Sequence, residues 1–234
     1  MPIAASRADK IIVSDVRAAL ASAADPDKAI GMQAYMKSAL PFRGVQKPER
    51  ARVLREVFAS HPLPSEAVWS ATVRELWHGA QFREERYAAI DLTGHRLYRA
   101  YQRPETLPLY EDLIVTGAWW DYVDEIAARR VGPILRAAPM RVAPVMRAWA
   151  TNSDLWRRRT AILCQLGARE SVDRDLLADC LEPNLADREF FIRKAIGWAL
   201  RDFARQDPAW VRAFVDQHAA RLSPLSYREA TKHL

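Results

Sequence analysis

The stretch DLWRRRTAIL, residues 154–163, has a counterpart further along the chain in EFFIRKAIGW, residues 189–198. In this alignment Arg159 matches Lys194, which lies 35 residues later. Similarity at a fixed step is the signature of stacked structural repeats, and about 35 residues suffice for two helices and two turns. The pair of segments therefore favours a helical-repeat fold.

The same step also runs backward through the chain. Asp124 lies 35 residues before Arg159, in the segment WWDYVDEI, and Arg86 lies 38 residues before Asp124. Each pairwise similarity is weak, but the series favours stacked helical hairpins of the HEAT type. We therefore predict one all-α domain over residues 1–234, in which HEAT-like repeats stack in a curved α-solenoid with a basic concave face.

Composition agrees with a helical protein and argues against several classes of function. Half of the 234 residues are hydrophobic and only 8 are glycine, too few for the turns of a sheet protein of this length. No GxxxxGK[ST] or GxGxxG segment is present, so nucleotide-dependent chemistry is not expected. The sequence also lacks an HExxH segment, histidines spaced four apart and a GxSxG elbow. We expect no metal, no cofactor and no serine or cysteine nucleophile.

Charge and targeting signals point to a polyanionic partner inside the cell. The chain carries 35 Lys and Arg against 29 Asp and Glu, a formal net charge of +6. Residues 1–10 hold no continuous apolar segment and no run of 18 apolar residues occurs, so we expect neither a signal peptide nor a membrane span. Cys164 and Cys180 lack CxxC spacing, which favours buried free thiols over a disulfide. We expect a cytoplasmic monomer.

Capping residues mark helix starts along the chain. Ser65 precedes an apolar pattern at helical spacing, and Asp207 stands before Pro208, a residue favoured in the first turn of a helix. The sequence therefore predicts helices that begin just after these positions. Further predicted caps are the pair Ser153-Asp154, then Asp187, and a capping box in the segment SYRE, residues 226–229.

Equivalent positions of successive repeats lie side by side in a solenoid. Asp124, Arg159 and Lys194 should therefore line one stripe. Residues four positions away on the same helices, Trp120 and Trp198, should join it. Asp124 is the unusual member, because it is a lone acid among cations and aromatic rings. It either serves a function, or it caps a helix or pairs with Arg159.

Adjacent tryptophans are the second unusual feature. Trp119 and Trp120 cannot both face the core, because neighbouring helical residues point about 100° apart. An indole on a basic surface can stack on a base or a sugar, and we expect Trp120 to reach that surface. A tryptophan that covers a seam between helices explains the pattern equally well. The tryptophans expected in the core are Trp69, Trp77, Trp149 and Trp210.

Cations cluster in the C-terminal half of the chain. Residues 157–159 are three arginines, and a cation recurs at the repeat-equivalent position Lys194. A row of cations at the spacing of helical repeats could follow a phosphate backbone. An ordinary solvated helix face is the alternative. The other members of the cluster are Arg188, Arg193 and Arg201.

A series of short motifs resembles the AlkD-type DNA alkylation-repair glycosylases, enzymes built from HEAT-like repeats. The motifs occur in order and with family-like spacing from residue 35 to residue 233, and the ordered set is more specific than any one member. Given by first residue, they are YMK at 35, GVQ at 44, PER at 48, RELW at 74, EDLIVT at 111, WWDYVD at 119, LWRRRTAIL at 155, FFIRKAIGW at 190 and REATKH at 228.

This resemblance implies an enzyme that hydrolyses the N-glycosidic bond of positively charged alkylpurines in duplex DNA, such as 3-methyladenine and 7-methylguanine, and leaves an abasic site. By motif position, the catalytic aspartate corresponds to Asp124 and the active-site tryptophans to Trp120 and Trp198. A phosphate-contacting arginine corresponds to Arg159, and a groove-side tyrosine to Tyr35. The other expected DNA contacts are Arg158, Lys194, Arg193 and Lys37.

In such a reaction a carboxylate stabilises the positive charge that develops on the sugar. Asp124 must then be ionised, and we expect its cationic neighbours to favour that state. No Schiff-base lysine is identifiable, so no lyase step is expected. Residues 41–43, PFR, depart from the family pattern near the lesion side. Two alternative functions follow from relatives of this fold. One is a glycosylase that removes bulky natural-product adducts, and the other is a module of HEAT-like repeats that binds DNA without catalysis.

Overall fold

A computed structural model describes residues 7–234, and all regular structure in this range is helical. No strand occurs among these residues, which confirms the all-α prediction. Within the same range, no helix has both the length and the hydrophobicity needed to cross a bilayer. The expectation that no signal peptide is present rests on residues 1–10, most of which lie outside the described residues.

The chain divides after Tyr101 into two compact units. In the first unit, the first helix packs against the third, fourth and fifth helices, and the fully buried indoles of Trp69 and Trp77 confirm the sequence prediction for these residues. The prediction of a single domain over residues 1–234 stays a prediction. The helices of this unit are α1 (Lys10–Ser22), α2 (Pro26–Met36), α3 (Lys47–Ser60), α4 (Glu66–His78) and α5 (Arg83–Thr93).

Helix α2 differs from the other helices of the first unit because none of its residues is buried. Polar contacts hold its ends. Asp25 caps the N-terminus, and its own backbone N–H donates to the carbonyl of Arg43. The loop after α2 is fixed by Glu84, a fully buried carboxylate of α5 that accepts the backbone N–H groups of residues 43–45. Helix α2 is therefore anchored at its ends and exposed along its length.

The second unit contains a stack in which α7 contacts α10, α10 contacts α12, and α12 contacts α14. This order follows the 35-residue step and confirms the helical-repeat prediction. A π-helical turn, Ala127–Val131, joins α7 to α8. The helices are α6 (Leu107–Gly117), α7 (Trp120–Ile126), α8 (Gly132–Ala137), α9 (Pro139–Ala150), α10 (Leu155–Leu163), α11 (Arg174–Leu181), α12 (Phe190–Ala204), α13 (Pro208–Gln217) and α14 (Pro224–Ala230).

Three of the predicted helix caps are confirmed. The side chain of Ser65 accepts a backbone N–H at the start of α4, and that of Asp154 does the same at the start of α10. Asp207 caps α13, with Pro208 as the first helical residue. Each carboxylate or hydroxyl oxygen satisfies a backbone donor that the first turn of a helix leaves without a partner.

Two predicted caps are wrong. Asp187 lies two residues before the cap of α12, which is Glu189, and instead accepts the N–H of that residue. Helix α14 begins at Pro224 with Ser223 as its cap, so Ser226 lies inside the helix. There it is buried, and its hydroxyl donates to the carbonyl of Arg193. The Ser-Pro start takes precedence over the capping-box pattern because proline is already suited to a first helical turn.

The core of the second unit contains the remaining predicted features. Trp149 is buried, and the half-buried Trp210 packs against Phe203 and Phe214. Cys164 and Cys180 are buried free thiols, as predicted. Burial raises the pKa of the Cys180 thiol to about 12, so this side chain is inert at neutral pH.

Candidate active site

Four charged residues recur at a step of 35 residues on consecutive helices of the stack, and we call them the charged row. They are Asp124 on α7, Arg159 on α10, Lys194 on α12 and Glu229 on α14. Asp124 pairs with Arg159, and Lys194 pairs with Glu229, so each ion pair joins neighbouring helices. The cations of Arg159 and Lys194 both lie near the ring of Trp198, at 5.8 and 5.7 Å from its centroid. Four members of the predicted stripe, Asp124, Arg159, Lys194 and Trp198, are therefore brought together; the placement of Trp120 with them stays a prediction.

Asp124 and Arg159 form a two-bond ion pair. The Nε of Arg159 donates to Oδ1 of Asp124 at 2.7 Å, and its Nη2 donates to Oδ2 at 2.8 Å. The Nη1 of Arg159 also donates to the carbonyl of Phe191. The side chain of Arg159 is only 2% exposed, whereas that of Asp124 is 18% exposed. The carboxylate is thus held in one orientation with part of its edge open to solvent.

Burial raises the pKa of Asp124, and the hydrogen bonds and charge of Arg159 oppose that shift without cancelling it. Arg159 favours the ionised carboxylate, as predicted, but the predicted effect is smaller than that of burial. Taking a carboxylate out of water costs more here than its attraction to one guanidinium returns. A carboxyl group with a raised pKa on a partly open surface is typical of functional sites.

Trp198 lies on α12, one helical turn after Lys194, and is half-buried. The guanidinium of Arg201 completes its surroundings, 6.0 Å from the ring centroid. Cations at this distance over an indole are attracted by its negative face. The predicted grouping of Trp198 with Arg159 and Lys194 is therefore present in the structure.

The adjacent tryptophans have different surroundings. Trp119 contacts Trp156 and Phe191 at ring-centroid distances of 6.5 and 5.6 Å. Trp156 and Phe191 are themselves repeat-equivalent and lie 5.2 Å apart. Trp120 is half-buried and begins α7, one turn before Asp124. Trp119 thus packs against other aromatic rings, whereas Trp120 lies four residues before Asp124 on the same helix.

Most cations of the predicted basic cluster are paired with carboxylates. Arg157 lies 2.8 Å from Glu111, and Arg158 lies 3.1 Å from Asp187. Glu229 is shared between Lys194 and Arg201. These acids are functional candidates that sequence reasoning missed. One further step of 35 residues from Lys194 reaches Glu229, so the repeat itself carried that signal.

The remaining predicted DNA contacts have fewer described interactions. Arg193 is half-buried on α12, one residue before Lys194. In the first unit, Tyr35 lies on α2 with 74% of its surface exposed. Lys37, also exposed, follows the end of α2 in the left-handed backbone conformation. Across the part of the chain that the structure describes, no group of three or more His, Cys, Asp or Glu side chains could hold a metal ion.

Comparison with known proteins identifies the family. Residues 16–234 match the model of a family described as DNA alkylation repair enzyme. The fold is similar to a solved structure described as a predicted DNA alkylation repair enzyme from Enterococcus faecalis, with a TM-score of 0.81 and 29% sequence identity over 90% of this chain and 96% of that chain. A search of curated proteins finds no match. The chain belongs to the DNA alkylation repair enzyme family.

Proposed function

We propose that this protein is a monofunctional DNA glycosylase that releases positively charged N3- and N7-alkylpurines, such as 3-methyladenine and 7-methylguanine, from duplex DNA. The observation that carries the proposal is the carboxylate of Asp124, which is oriented by two bonds from Arg159, in a member of a DNA alkylation repair family. The guanidinium of Arg159 in turn lies 5.8 Å from the centroid of the Trp198 ring. The net charge of +6 suits a polyanionic substrate.

The chemistry of such lesions matches these side chains. An alkylated purine carries a formal positive charge, so its bond to deoxyribose is already weakened. As the bond breaks, positive charge develops on the sugar. The carboxylate of Asp124 would stabilise this charge and orient the attacking water. Each oxygen of Asp124 accepts one bond from Arg159 and keeps a further lone pair for water or substrate.

The aromatic residues would hold the lesion beside the carboxylate. We assign Trp120 and Trp198 to contacts with the deoxyribose and the cationic base, because an indole face attracts both. Trp120 lies one turn before Asp124 on the same helix, which supports a shared surface. No lyase step is included, since no lysine is assigned to a Schiff base.

DNA binding is assigned to cations and to one aromatic side chain. We also assign Arg159 to a phosphate, through N–H hydrogens that Asp124 and Phe191 do not use. Because this side chain is only 2% exposed, the contact requires that its surroundings open when DNA binds. The other proposed contacts are Tyr35, Lys37, Arg158, Arg193 and Lys194. We further propose that the chain acts as a cytoplasmic monomer and as a single functional domain.

The test is release of free base. The protein is incubated with a duplex that contains one 7-methylguanine, and the released base is separated and identified by mass spectrometry. We expect free 7-methylguanine and a strand that breaks only after alkali treatment. A protein that binds the duplex tightly but releases no base would instead be a DNA-binding module. Release of bulky adducts from a duplex, without release of 7-methylguanine, would show that the protein is a glycosylase specialised for bulky natural-product adducts.

A further inference from the structure

Glu229 is the last member of the charged row, and it bridges two cations beside Trp198. Its Oε1 lies 2.7 Å from Nζ of Lys194, and its Oε2 lies 2.6 Å from Nη1 of Arg201. Both cations lie over the ring of Trp198, at 5.7 and 6.0 Å from the centroid. One carboxylate therefore fixes two of the charged groups that surround this indole.

The position of Glu229 is built by a close approach of α14 to α12. Gly197, the residue before Trp198, is buried at the contact. A Cβ at Gly197 would come within 2.4 Å of the Cβ of Glu229 and 3.1 Å of the carbonyl oxygen of Ser226. The hydroxyl of Ser226 donates to the carbonyl of Arg193 at 2.9 Å and locks the same two helices. Glycine in the middle of α12 is thus required for Glu229 to reach Lys194 and Arg201.

Glu229 also changes the charge around the ring. Its hydrogen bond from Lys194, and then the charges of Lys194 and Arg201, lower the pKa of this carboxyl group, so it is ionised at neutral pH. Three cations lie near the ring of Trp198: Arg159, Lys194 and Arg201. Asp124 balances the charge of Arg159, and Glu229 balances part of the charge of the other two. Without Glu229, the charges of Lys194 and Arg201 would not be balanced by this carboxylate. A cationic purine approaching the indole would then meet stronger repulsion.

We propose that Glu229 is a positioning residue of the glycosylase site, which acts through Lys194 and Arg201. It holds both cations against Trp198, and its negative charge lets this ring accept a positively charged base. The proposal rests on the glycosylase function proposed above. It assigns to Glu229 a role in selecting a cationic base that is distinct from the role of Asp124 at the sugar.

The first test replaces Glu229 by Gln and measures single-turnover excision and duplex affinity separately. We expect excision of 7-methylguanine to fall about fivefold or more. Affinity for undamaged duplex should be equal or higher, because a charge that repels phosphate has gone. The matched control is Asp179→Asn, which removes one carboxylate from the exposed Arg147–Asp179 pair, 2.6 Å apart between α9 and α11. It should leave excision unchanged.

A double-mutant cycle separates positioning from a general loss of structure. In a Lys194→Gln, Arg201→Gln background, the further change Glu229→Gln should reduce excision much less than it does in the wild type, since the cations that Glu229 holds and neutralises are absent. An equal loss in both backgrounds would overturn the proposal. Unfolding midpoints are measured for every variant, and excision is compared at a temperature where all are folded.

A spectroscopic measurement tests the charge at Trp198 without any reaction. The emission of Trp198 is obtained as the difference between the wild type and Trp198→Phe, each with and without Glu229→Gln. Loss of the carboxylate should raise quenching by iodide about twofold relative to quenching by neutral acrylamide, because the ring becomes more positively surrounded. An unchanged ratio would overturn the proposal. A wild type that releases no base, with the ratio changed, would reject the glycosylase function alone.

Discussion

The carboxylate of Asp124 and the guanidinium of Arg159 face each other across two neighbouring helices, 35 residues apart in sequence and joined by bonds of 2.7 and 2.8 Å. The pKa of Asp124 is nevertheless raised by burial. The pair therefore does not fully offset the cost of withdrawing the carboxylate from water. The ionised side chain of Asp124 is therefore better explained by a role in activity than by a contribution to the stability of the fold.

Substitutions of the two partners should have unequal effects on stability. Asp124→Asn should lower the free energy of unfolding by less than Arg159→Ala does, because the amide oxygen still accepts one of the two bonds from Arg159 while the amide nitrogen cannot accept the other. Arg159→Ala should lower the free energy of unfolding by about 3 kcal/mol, since it leaves a buried carboxylate without its partner. Chemical denaturation measures both. Equal losses in the two variants would show that Asp124 is a structural partner of Arg159.

The pH dependence of excision should report the raised pKa of Asp124. The folded protein favours the protonated carboxyl more than the unfolded chain does, so Asp124 makes the fold less stable as pH rises through its folded pKa. The reaction needs the ionised form, so the acid limb of the single-turnover rate should lie above the ordinary pKa of aspartate. Asp124→Asn should abolish this limb. A limb that persists in the variant would belong to another group.

Salt dependence tests the proposed phosphate contact of Arg159. Arg159→Ala should weaken binding of lesion-containing and undamaged duplex alike, and should reduce the slope of log affinity against log salt by about one. The control variant is Arg147→Ala, which breaks the exposed ion pair with Asp179 and should leave the slope unchanged. An unchanged slope together with lost excision would mean that Arg159 acts only by holding Asp124.

Helix α2 offers a prediction in which stability and binding change in opposite directions. Gly31 lies inside α2, and a Cβ there would meet no atom within 4 Å. Gly31→Ala should therefore raise the free energy of unfolding by up to about 1 kcal/mol. Tyr35 lies one turn later on the same face and is proposed to contact DNA. Because the added methyl group would project from the face that Tyr35 presents to DNA, it should hinder the approach of the duplex and weaken binding about threefold, on the order of 0.7 kcal/mol.

The matched control for this variant is Ser14→Ala, at an exposed position of α1. It should leave duplex affinity unchanged. A Gly31→Ala variant that gains both stability and affinity would show that this face of α2 does not approach DNA.

Repeat spacing was sufficient to predict which positions share a face. The 35-residue step joins Asp124, Arg159 and Lys194 because each repeat adds one helix to the stack, so equivalent side chains become neighbours. Local signals were sufficient for the caps at Ser65 and Asp154, where a polar side chain and the following helix lie within a few residues of each other.

The depth and the partners of the charged groups could not be predicted in the same way. The burial of Arg159 depends on the carbonyl of Phe191 and the carboxylate of Asp124, which come from two other helices. The cap predicted at Ser226 failed because Pro224 starts the helix earlier, and Ser226 bonds to α12 instead. The burial of Arg159 and the partner of Ser226 are thus set by contacts between helices of different repeats, which the local sequence pattern does not contain.

The most direct test of the central claim is single-turnover release of free base from a 7-methylguanine duplex by the wild type and by Asp124→Asn, at saturating protein. The account predicts release by the wild type and a rate at least about tenfold lower in the variant, or about 1.4 kcal/mol in the barrier. Duplex affinity should be equal or higher, and 7-methylguanine should be affected less than a more stable lesion. Equal rates for the two proteins, or no release by the wild type, would contradict the assignment of Asp124 as the catalytic carboxylate.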